Sequence, residues 1–569
     1  MPFKTKSSKR AHFEEHALSI SPLLTITSVS SFMRIPTKPV QTMPSFEYPV
    51  TPVLEYIQRT WNNLLVSNQQ LLSVIPEEKV EQAVDSVPIL YISPKENKNS
   101  VIQELQKVLS AEDLNSLDIV ALPESGDLDQ LAPGLLYLPN PYIVPGGRFK
   151  EMYGWDSYFI QEGLLRDGLL NIAKGMTENQ LYQIEKYGTV LNANRSYYIN
   201  RSQPPFIARM VMDVYKHTTD IGWLKKALPS IENHYDYWVT GKHLISRGAA
   251  AGLSRYYAFG EGPAIEVEQG EVEDGKTHYQ RIQDYYKTHQ IKDYDVTHYY
   301  DAENDQLTPK FYRADRTMRE SGFDPSNRFG PFNIDILHYA PVCLNSLLYK
   351  METDMRDMYR IVQQSDMADL MNEKAEKRKQ IMDQVLWNED HGLYQDFNFK
   401  TEQSRYYPFA TMFFPLWAGA ASPGQAQHSL NNLPLLERAG GIMTSNHVSG
   451  NQWDAPFGWA PLQEIAAKGF LNYPSVTGAK EAAVRIASKF VNTIAKDFSK
   501  TQSLFEKYDV ERMSSNVSDE IEFGYSSNEI GFGWTNSAFL ELLNIIKQNS
   551  VMEPLNPKES ILSKVVGIR

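Results

Sequence analysis

Between Val484 and Phe498 the apolar side chains recur every three or four residues. Val484, Ala487, Val491, Ile494 and Phe498 share one helical face, while Arg485, Lys489, Asn492 and Lys496 fall off it. That period predicts an amphipathic α-helix with one face in a core. The stretch from Met358 through Leu386 carries a similar pattern, with Ile361, Leu370, Ile381 and Val385 set among lysines and glutamates. Phe539 to Ile546 is nearly all apolar, as expected of a helix enclosed on every side. Helical periodicity recurs from residue 54 onward. Alternating strand patterns are scarce and βαβ punctuation is absent, so the chain reads as all-α. No repeat of fixed length appears, which disfavours a regular solenoid.

The segments between these helices are long and rich in Pro, Gly and aromatics, notably Tyr137 to Tyr158, Asn192 to Phe206, Tyr256 to Asn327 and Gln452 to Pro461. An all-helical scaffold with such loops usually places its chemistry on them. Residues 1–45 are rich in Ser, Thr, Lys and Pro without a sustained period, and read as a flexible extension. The expected organisation is that extension, an N-terminal helical region over 46–130 packed on the main body, a catalytic domain over 131–548 and a tail over 549–569.

Composition narrows the function. With 569 residues, 42% hydrophobic and 22% charged, the chain can bury a large core. Its 69 acidic residues outnumber 56 Lys and Arg, and the net charge of -13 argues against nucleic acid or anionic lipid as partner. No run reaches the roughly 18 apolar residues of a membrane span. The N-terminus is basic at Lys4, Lys6, Lys9 and Arg10, but Glu14 and Glu15 follow and Ser and Thr interrupt Ile20 to Val29, unlike a signal peptide. The lone Cys343 reads as a buried filler, and a cytoplasmic location is expected. Neither an H-E-x-x-H site, a paired C-x-x-C site nor a calcium loop is present, so no metal and no cofactor is expected.

Aromatic content is 12%, with 32 Tyr and 9 Trp, and many of these stand beside Arg, Asp, Asn and Gln in the loops. A sugar requires that mixture: flat apolar faces for its C–H surfaces and planar bidentate groups for adjacent hydroxyls. The strongest segments are Pro145-Gly-Gly-Arg-Phe149 continuing to Tyr153-Gly-Trp-Asp-Ser-Tyr158, Asn192-Ala-Asn-Arg-Ser-Tyr-Tyr198 with Arg201-Ser-Gln-Pro-Pro205, and Gln452-Trp-Asp-Ala-Pro-Phe-Gly-Trp-Ala-Pro461. Shorter strings follow at Glu320-Ser-Gly-Phe-Asp324, Glu506-Lys-Tyr-Asp-Val510 and Gly531-Phe-Gly-Trp534. In order and over residues 140 to 540, they resemble the signatures of the trehalase family of glycoside hydrolases, and more closely its neutral, cytosolic type.

The resemblance implies an (α/α)6 toroid, a six-hairpin glycosidase fold whose long loops form the active site. It also implies an α,α-trehalase, an inverting hydrolase of a disaccharide that yields two glucose molecules. Asp324 matches the family's general acid and Glu506 its general base. Arg148, Trp155, Asp156, Asn192, Arg201, Ser202, Gln203 and Gly322 match sugar-holding positions, Glu266 a further acidic one, and Glu522 the lid glutamate. Two departures stand out. The family's Arg-Pro-Glu string is Ala264-Ile265-Glu266 here, which removes one guanidinium, and Glu520-Ile-Glu-Phe-Gly-Tyr525 replaces a glycine-rich lid. Rival readings are a hydrolase of another small α-glycoside, of glucosyl- or mannosyl-glycerate type, and a catalytically silent sugar-binding protein. Oligomeric state is not legible.

Inversion requires a protonated acid and an ionised base roughly 6.5 to 9.5 Å apart. Two charges about 8 Å apart at an effective dielectric near 20 repel by roughly 2 kcal/mol, or about 1.5 pKa units, which is insufficient to protonate an aspartate at neutral pH. Burial beside Phe323 is expected to raise Asp324 further, and Arg148, Arg201 or Lys507 to keep Glu506 charged.

Overall fold

A computed structural model describes residues 46–76, 79–80, 87–124, 128 and 131–549. Most of the expected extension over 1–45 and tail over 549–569 lies outside them. The helices that build the body fall into two classes by composition. Helices such as Ala460–Leu471, where only Lys468 and Leu471 escape full burial, are enclosed on all sides. Helices such as Ala479–Thr501 bury one stripe, here Ala482, Ala483, Ile486, Ala487, Phe490, Val491, Ile494 and Phe498, and leave a charged face outside.

These classes form two concentric rings. The inner ring consists of Asp156–Arg166, Ile207–Thr218, Val342–Ile361, Phe414–Ala418, Ala460–Leu471 and Gly533–Asn549, each packed on the next and the last packed on the first. The outer helices are Thr51–Leu64, Leu170–Tyr187, Ile221–Val239, Ser365–Val385, Pro423–Asn432 and Ala479–Thr501. Outer and inner helices alternate along the chain, so each inner helix is preceded by an outer one. The architecture is the expected (α/α)6 toroid. Its tightest seam joins the first and last inner helices: a Cβ on Gly163 would lie 2.1 Å from Ser537 Oγ, so only glycine allows this approach.

Three expectations are corrected. The pattern from Met358 to Leu386 covers the end of one helix and all of another, separated by a turn in which Gln363 takes a positive φ of 63°. The region read as helical over 46–130 contains a small parallel sheet, with Ile89–Ile92 between Asp118–Ala121 and Leu135–Leu136. Strands of two to four residues are too short to register a period of two. No boundary falls near residue 131 either, because Thr51–Leu64 packs on Gly533–Asn549 and belongs to the outer ring.

The long stretch from Tyr256 to Asn327 is not a bare loop. It holds helices His278–Thr288 and Pro309–Glu320 and two hairpins, Val272–Glu273 with Lys276–Thr277 and Tyr300–Asp301 with Gln306–Leu307. Tyr279, Ile282, Tyr286, Tyr299, Tyr300, Leu307 and Phe311 of this insertion form a core that Phe332 and Phe523 complete from outside it. Tyrosines let a charge-rich segment pack, since each ring is apolar while its hydroxyl keeps a polar partner.

Candidate active site

The inner helices starting at Asp156, Ala460 and Gly533 begin at one cavity, lined by Trp155, Asp156, Trp459 and Trp534 at those ends. Trp155 and Trp459 occupy N-cap positions without a side-chain cap, so their helices turn positive dipole ends toward the cavity. Insertion residues from Glu266 to Asp324 and loop residues Glu506 and Tyr525 complete the wall. The space not filled by protein atoms is about 720 Å³, part of it continuous with solvent. Its apolar side is a cluster of indoles: Trp453 and Trp459 stack at 3.8 Å, and Trp155 meets Trp453 at 5.9 Å and Trp534 at 6.0 Å.

Asp324 follows helix Pro309–Glu320 by four residues, after a turn at Gly322. There φ is +78°, and a Cβ would sit 2.9 Å from the Trp155 ring. Asp324 lines the cavity, and its side chain is 29% exposed. Burial pushes its pKa up to about 7, with Glu271 and Asp315 adding to the rise and Arg319 and Arg201 opposing it. Arg319 Nη1 is 3.5 Å from Asp324 Oδ2 and 3.4 Å from Glu271 Oε1, while Arg319 Nε is 3.2 Å from Asp315 Oδ2.

Glu506 directly precedes strand Lys507–Asp509, which pairs antiparallel with Phe457–Trp459 and sets Lys507 opposite Trp459. Its backbone is tied on both sides: its N–H donates to the Glu529 carbonyl at 2.9 Å, and Trp534 Nε1 donates to its carbonyl at 3.1 Å. Lys507 Nζ donates to Glu506 Oε2 at 3.2 Å, and the Tyr525 hydroxyl donates to Oε1. Burial raises the Glu506 pKa, and these two donors pull the other way. Lys507 is fully enclosed, with its ammonium 3.9 Å from the centre of the Tyr525 ring, and burial lowers its pKa. The two carboxyls therefore meet different surroundings: Asp324 shares the Arg319 guanidinium with Glu271 and Asp315, whereas Glu506 is clamped directly by an ammonium and a phenol. Asp156, in the first turn of its helix, is pushed well up by burial and by the nearby Glu506 and Asp324.

Arg148, Trp155, Asp156, Asn192, Arg201, Gln203, Glu266, Gly322, Asp324 and Glu506 all line this one cavity. Ser202 does not: it is buried behind the wall, with Oγ donating to the Val190 carbonyl at 2.6 Å and its N–H donating to Glu320 Oε1 at 3.2 Å. Nor does Glu522, which is exposed beside Gly450 with its carbonyl accepting from Arg281 Nη1; Tyr525, three residues on, reaches the cavity in its place. Arg201 pairs with Glu266, holding that carboxylate below its usual range against the effect of burial, and of the three cations expected beside Glu506 it is Lys507 that contacts it. Asp454 also lies outside, accepting from Tyr407, Ser445, Ser449 and the Asn327 N–H. Cys343 is buried, with Sγ 3.5 Å from Arg328 Nη1.

Sequence reasoning missed Arg319, Glu271, Tyr525 and Lys79. Arg319 brings a guanidinium to the cavity wall. Its signal was the run of charged residues, Asp315, Arg316, Arg319 and Glu320, on what proves to be the buried face of one helix. Lys79 left no signal. It enters the wall through Glu151, 2.7 Å from its ammonium, and the Tyr153 hydroxyl at 3.0 Å. Arg195 binds the same Glu151 and also the carbonyls of Val74 and Ile75. The motif residue Arg195 thus pins the N-terminal segment rather than facing the cavity. Beneath the cavity, Glu162, Glu464 and Glu541 from three inner helices form the one cluster of potential metal ligands among the described residues, and the Lys468 ammonium lies within 3.1 Å of all three.

Residues 52–547 match the family model Trehalase, and the chain belongs to the trehalase family. It is 34% identical to a cytosolic neutral trehalase of Neurospora crassa over 472 residues, covering 75% of this chain and 61% of the relative. A cytosolic neutral trehalase of Kluyveromyces lactis is matched over the same 61% of its length, so the chain spans about three fifths of these curated relatives. A periplasmic trehalase of Escherichia coli is 32% identical over 503 residues, covering 84% of this chain and 82% of the relative. Among solved structures, the neutral trehalase Nth1 from Saccharomyces cerevisiae superposes with a TM-score of 0.72 at 28% identity, covering 88% of this chain and 94% of that one. No helix among the described residues is long and apolar enough to cross a membrane.

Proposed function

We propose that this member of the trehalase family hydrolyses α,α-trehalose to two glucose molecules, with inversion at the carbon attacked. Asp324 is the general acid and gives its proton to the oxygen joining the two anomeric carbons. Glu506 is the general base and takes a proton from the water that attacks one of those carbons from the opposite face. The glycosidic C–O bond breaks as the new C–O bond forms, through an oxocarbenium-like transition state. Arg148, Arg201, Arg319, Asn192, Gln203, Glu266 and Asp156 bind hydroxyls, and Trp155, Trp453 and Trp459 offer flat faces to the ring C–H groups. Ser202 acts through the backbone it holds. Glu522 would approach the sugar only if its loop moved, and Tyr525 takes that place in this reading.

What carries the reading is the contrast between two carboxyls of one cavity, Asp324 at about 7 and Glu506 clamped by Lys507 and Tyr525. An acid and a base must be pushed apart in this way to act together near neutral pH. The catalytic unit is proposed to start at the outer helix Thr51–Leu64 and the location to be cytoplasmic, as the single buried cysteine and the neutral-type motifs favour.

Proton NMR of the first turnovers tests the proposal. Inversion at one half of trehalose releases α- and β-glucose in equal amounts before mutarotation. α-Glucose alone would mean retention and would overturn the mechanism, and absence of glucose would overturn the substrate. Glu506→Gln is expected to lose about 10²- to 10⁴-fold in kcat, and azide should partly restore Glu506→Ala by entering the space of the lost carboxylate.

A further inference from the structure

The proposed acid sits beside a group that works against it. An opposite charge within about 4–6 Å lowers a carboxyl by roughly 1–3 pKa units, and Arg319 Nη1 is 3.5 Å from Asp324 Oδ2. Held by Arg319 alone, Asp324 would be ionised at neutral pH and would have no proton to give.

Two further carboxylates share that guanidinium. Asp315 Oδ2 lies 3.2 Å from Nε and is fixed in place by the Tyr279 hydroxyl at 2.8 Å. Glu271 Oε1 lies 3.4 Å from Nη1, the same nitrogen that faces Asp324. Glu271 stands at the start of the hairpin that opens the insertion. Its second oxygen is 3.3 Å from His278 Nδ1, and Arg148 Nη2 donates to the neighbouring Gly270 carbonyl at 3.1 Å. Burial lowers His278 to about 4, so it brings no positive charge at neutral pH.

The charges around Asp324 can be followed element by element. Arg319 comes from its own helix and Arg201 from the loop before the second inner helix. Arg148 comes from the loop before the first inner helix. Against these three stand Glu266, paired with Arg201, and Asp315 and Glu271, both on Arg319. Asp156 and Tyr525 also face Asp324, and both are pushed toward their neutral forms. Lys507 and Lys79 bring two further positive charges to this wall, held by Glu506 and Glu151, so the guanidiniums of Arg319 and Arg201 already meet carboxylates before Asp324 is considered.

We propose that Glu271 is a positioning residue which, with Asp315, neutralises Arg319, so that Asp324 keeps its proton near neutral pH while Arg319 still reaches the sugar. The inference rests on Asp324 being the acid and adds what keeps it one. A guanidinium offers a planar, pre-organised fork of donors; here a second layer of carboxylates offsets its pull on the acid.

The test is kcat/KM for trehalose against pH, on the full chain, for the wild type, Glu271→Gln, Glu271→Asp and Asp315→Asn. Glutamine preserves the shape and removes the charge. In Glu271→Gln and Asp315→Asn the alkaline limb is expected to move down by about one unit, giving near wild-type kcat/KM at about pH 5.5 and a roughly tenfold loss at about pH 8. Glu271→Asp, which keeps the charge, should hold the wild-type limb. An alkaline limb left in place in a folded Glu271→Gln protein overturns the proposal, and so does a loss equal at every pH. If Glu271→Gln does not fold, Asp315→Asn decides by the same criterion. Turnover retained by Asp324→Asn would instead remove the acid assignment, a separate result read from a different variant.

Discussion

A carboxyl held protonated at neutral pH is a burden on the folded state, and Asp324→Asn measures it. In the unfolded chain this aspartate ionises near 3.8, and in the folded protein at about 7. At about 1.36 kcal/mol per unit, the span between those values sets a ceiling of about 4 kcal/mol. The side chain keeps 29% exposure to the cavity, so water screens part of the effect and about 2 kcal/mol is the working figure. The sign follows from proton counts. Below about 3.8 both states are protonated and the burden is nil. Between 3.8 and about 7 the folded state binds more protons than the unfolded one, so wild-type stability falls as pH rises. Above 7 the burden is complete. Asparagine never ionises, so Asp324→Asn should match the wild type near pH 4 and exceed it at pH 8. With an unfolding entropy of about 2.1 cal/mol/K per residue over roughly 500 residues, 2 kcal/mol corresponds to about 2 °C in Tm. Thermal melts of both proteins at the two pH values, alongside a trehalose assay, give the result. The variant should be inactive and more stable, with the gap growing with pH. An inactive variant that melts below the wild type at pH 8, or by an amount independent of pH, would refute this account of the Asp324 environment.

Tyr525→Phe removes the phenol that donates to Glu506 Oε1. A hydrogen bond to a charged group is worth about 1.5–3 kcal/mol, so the base becomes harder to ionise and the acidic limb of kcat/KM should move up by about one to two units, with activity returning at higher pH. An unmoved acidic limb would detach Tyr525 from the base. Gly322→Ala adds a Cβ 2.9 Å from the Trp155 ring at a positive φ. A left-handed backbone costs about 1–2 kcal/mol without glycine, and the displaced indole should raise KM for trehalose; an unchanged KM would show that Trp155 does not face the sugar.

What the sequence made legible follows from where its information was contiguous. Asp324, Glu506, Arg148, Asn192 and Gln203 each lie in a short string of aromatic and planar polar residues, so they could be picked out before their meeting in one cavity was known. The inner helix Gly533–Asn549 was legible because burial on all sides leaves an apolar run at Phe539–Ile546. Glu271 and Asp315 were not, because a buried carboxylate and a surface one look alike until helix Pro309–Glu320 is seen to turn its charges inward. Glu522 matches the family's lid glutamate in the string Glu520–Tyr525, whereas the loop geometry brings the Tyr525 phenol to the base. The insertion over 256–327 read as irregular because its core is tyrosine, a residue that marks no period by hydropathy alone. The parallel sheet at Ile89–Ile92 depends on partners 29 and 45 positions away, and the role of Arg195 on carbonyls 120 and 121 positions away.

The outer helix Thr51–Leu64 and the inner helix Gly533–Asn549 fasten the two rings like a clasp on a bracelet. The pieces that meet there stand at opposite ends of the sequence, so the contact has among the greatest chain separations in the molecule, and such contacts form late. A ribosome releases the N-terminal half of the clasp long before its counterpart exists. Until helix Gly533–Asn549 is made, Trp534 is missing from the wall and the carbonyl of Glu506 lacks its indole partner. A growing chain therefore carries most of the cavity's lining in an open arc, and completes the wall only when this seventeen-residue helix snaps the circle shut.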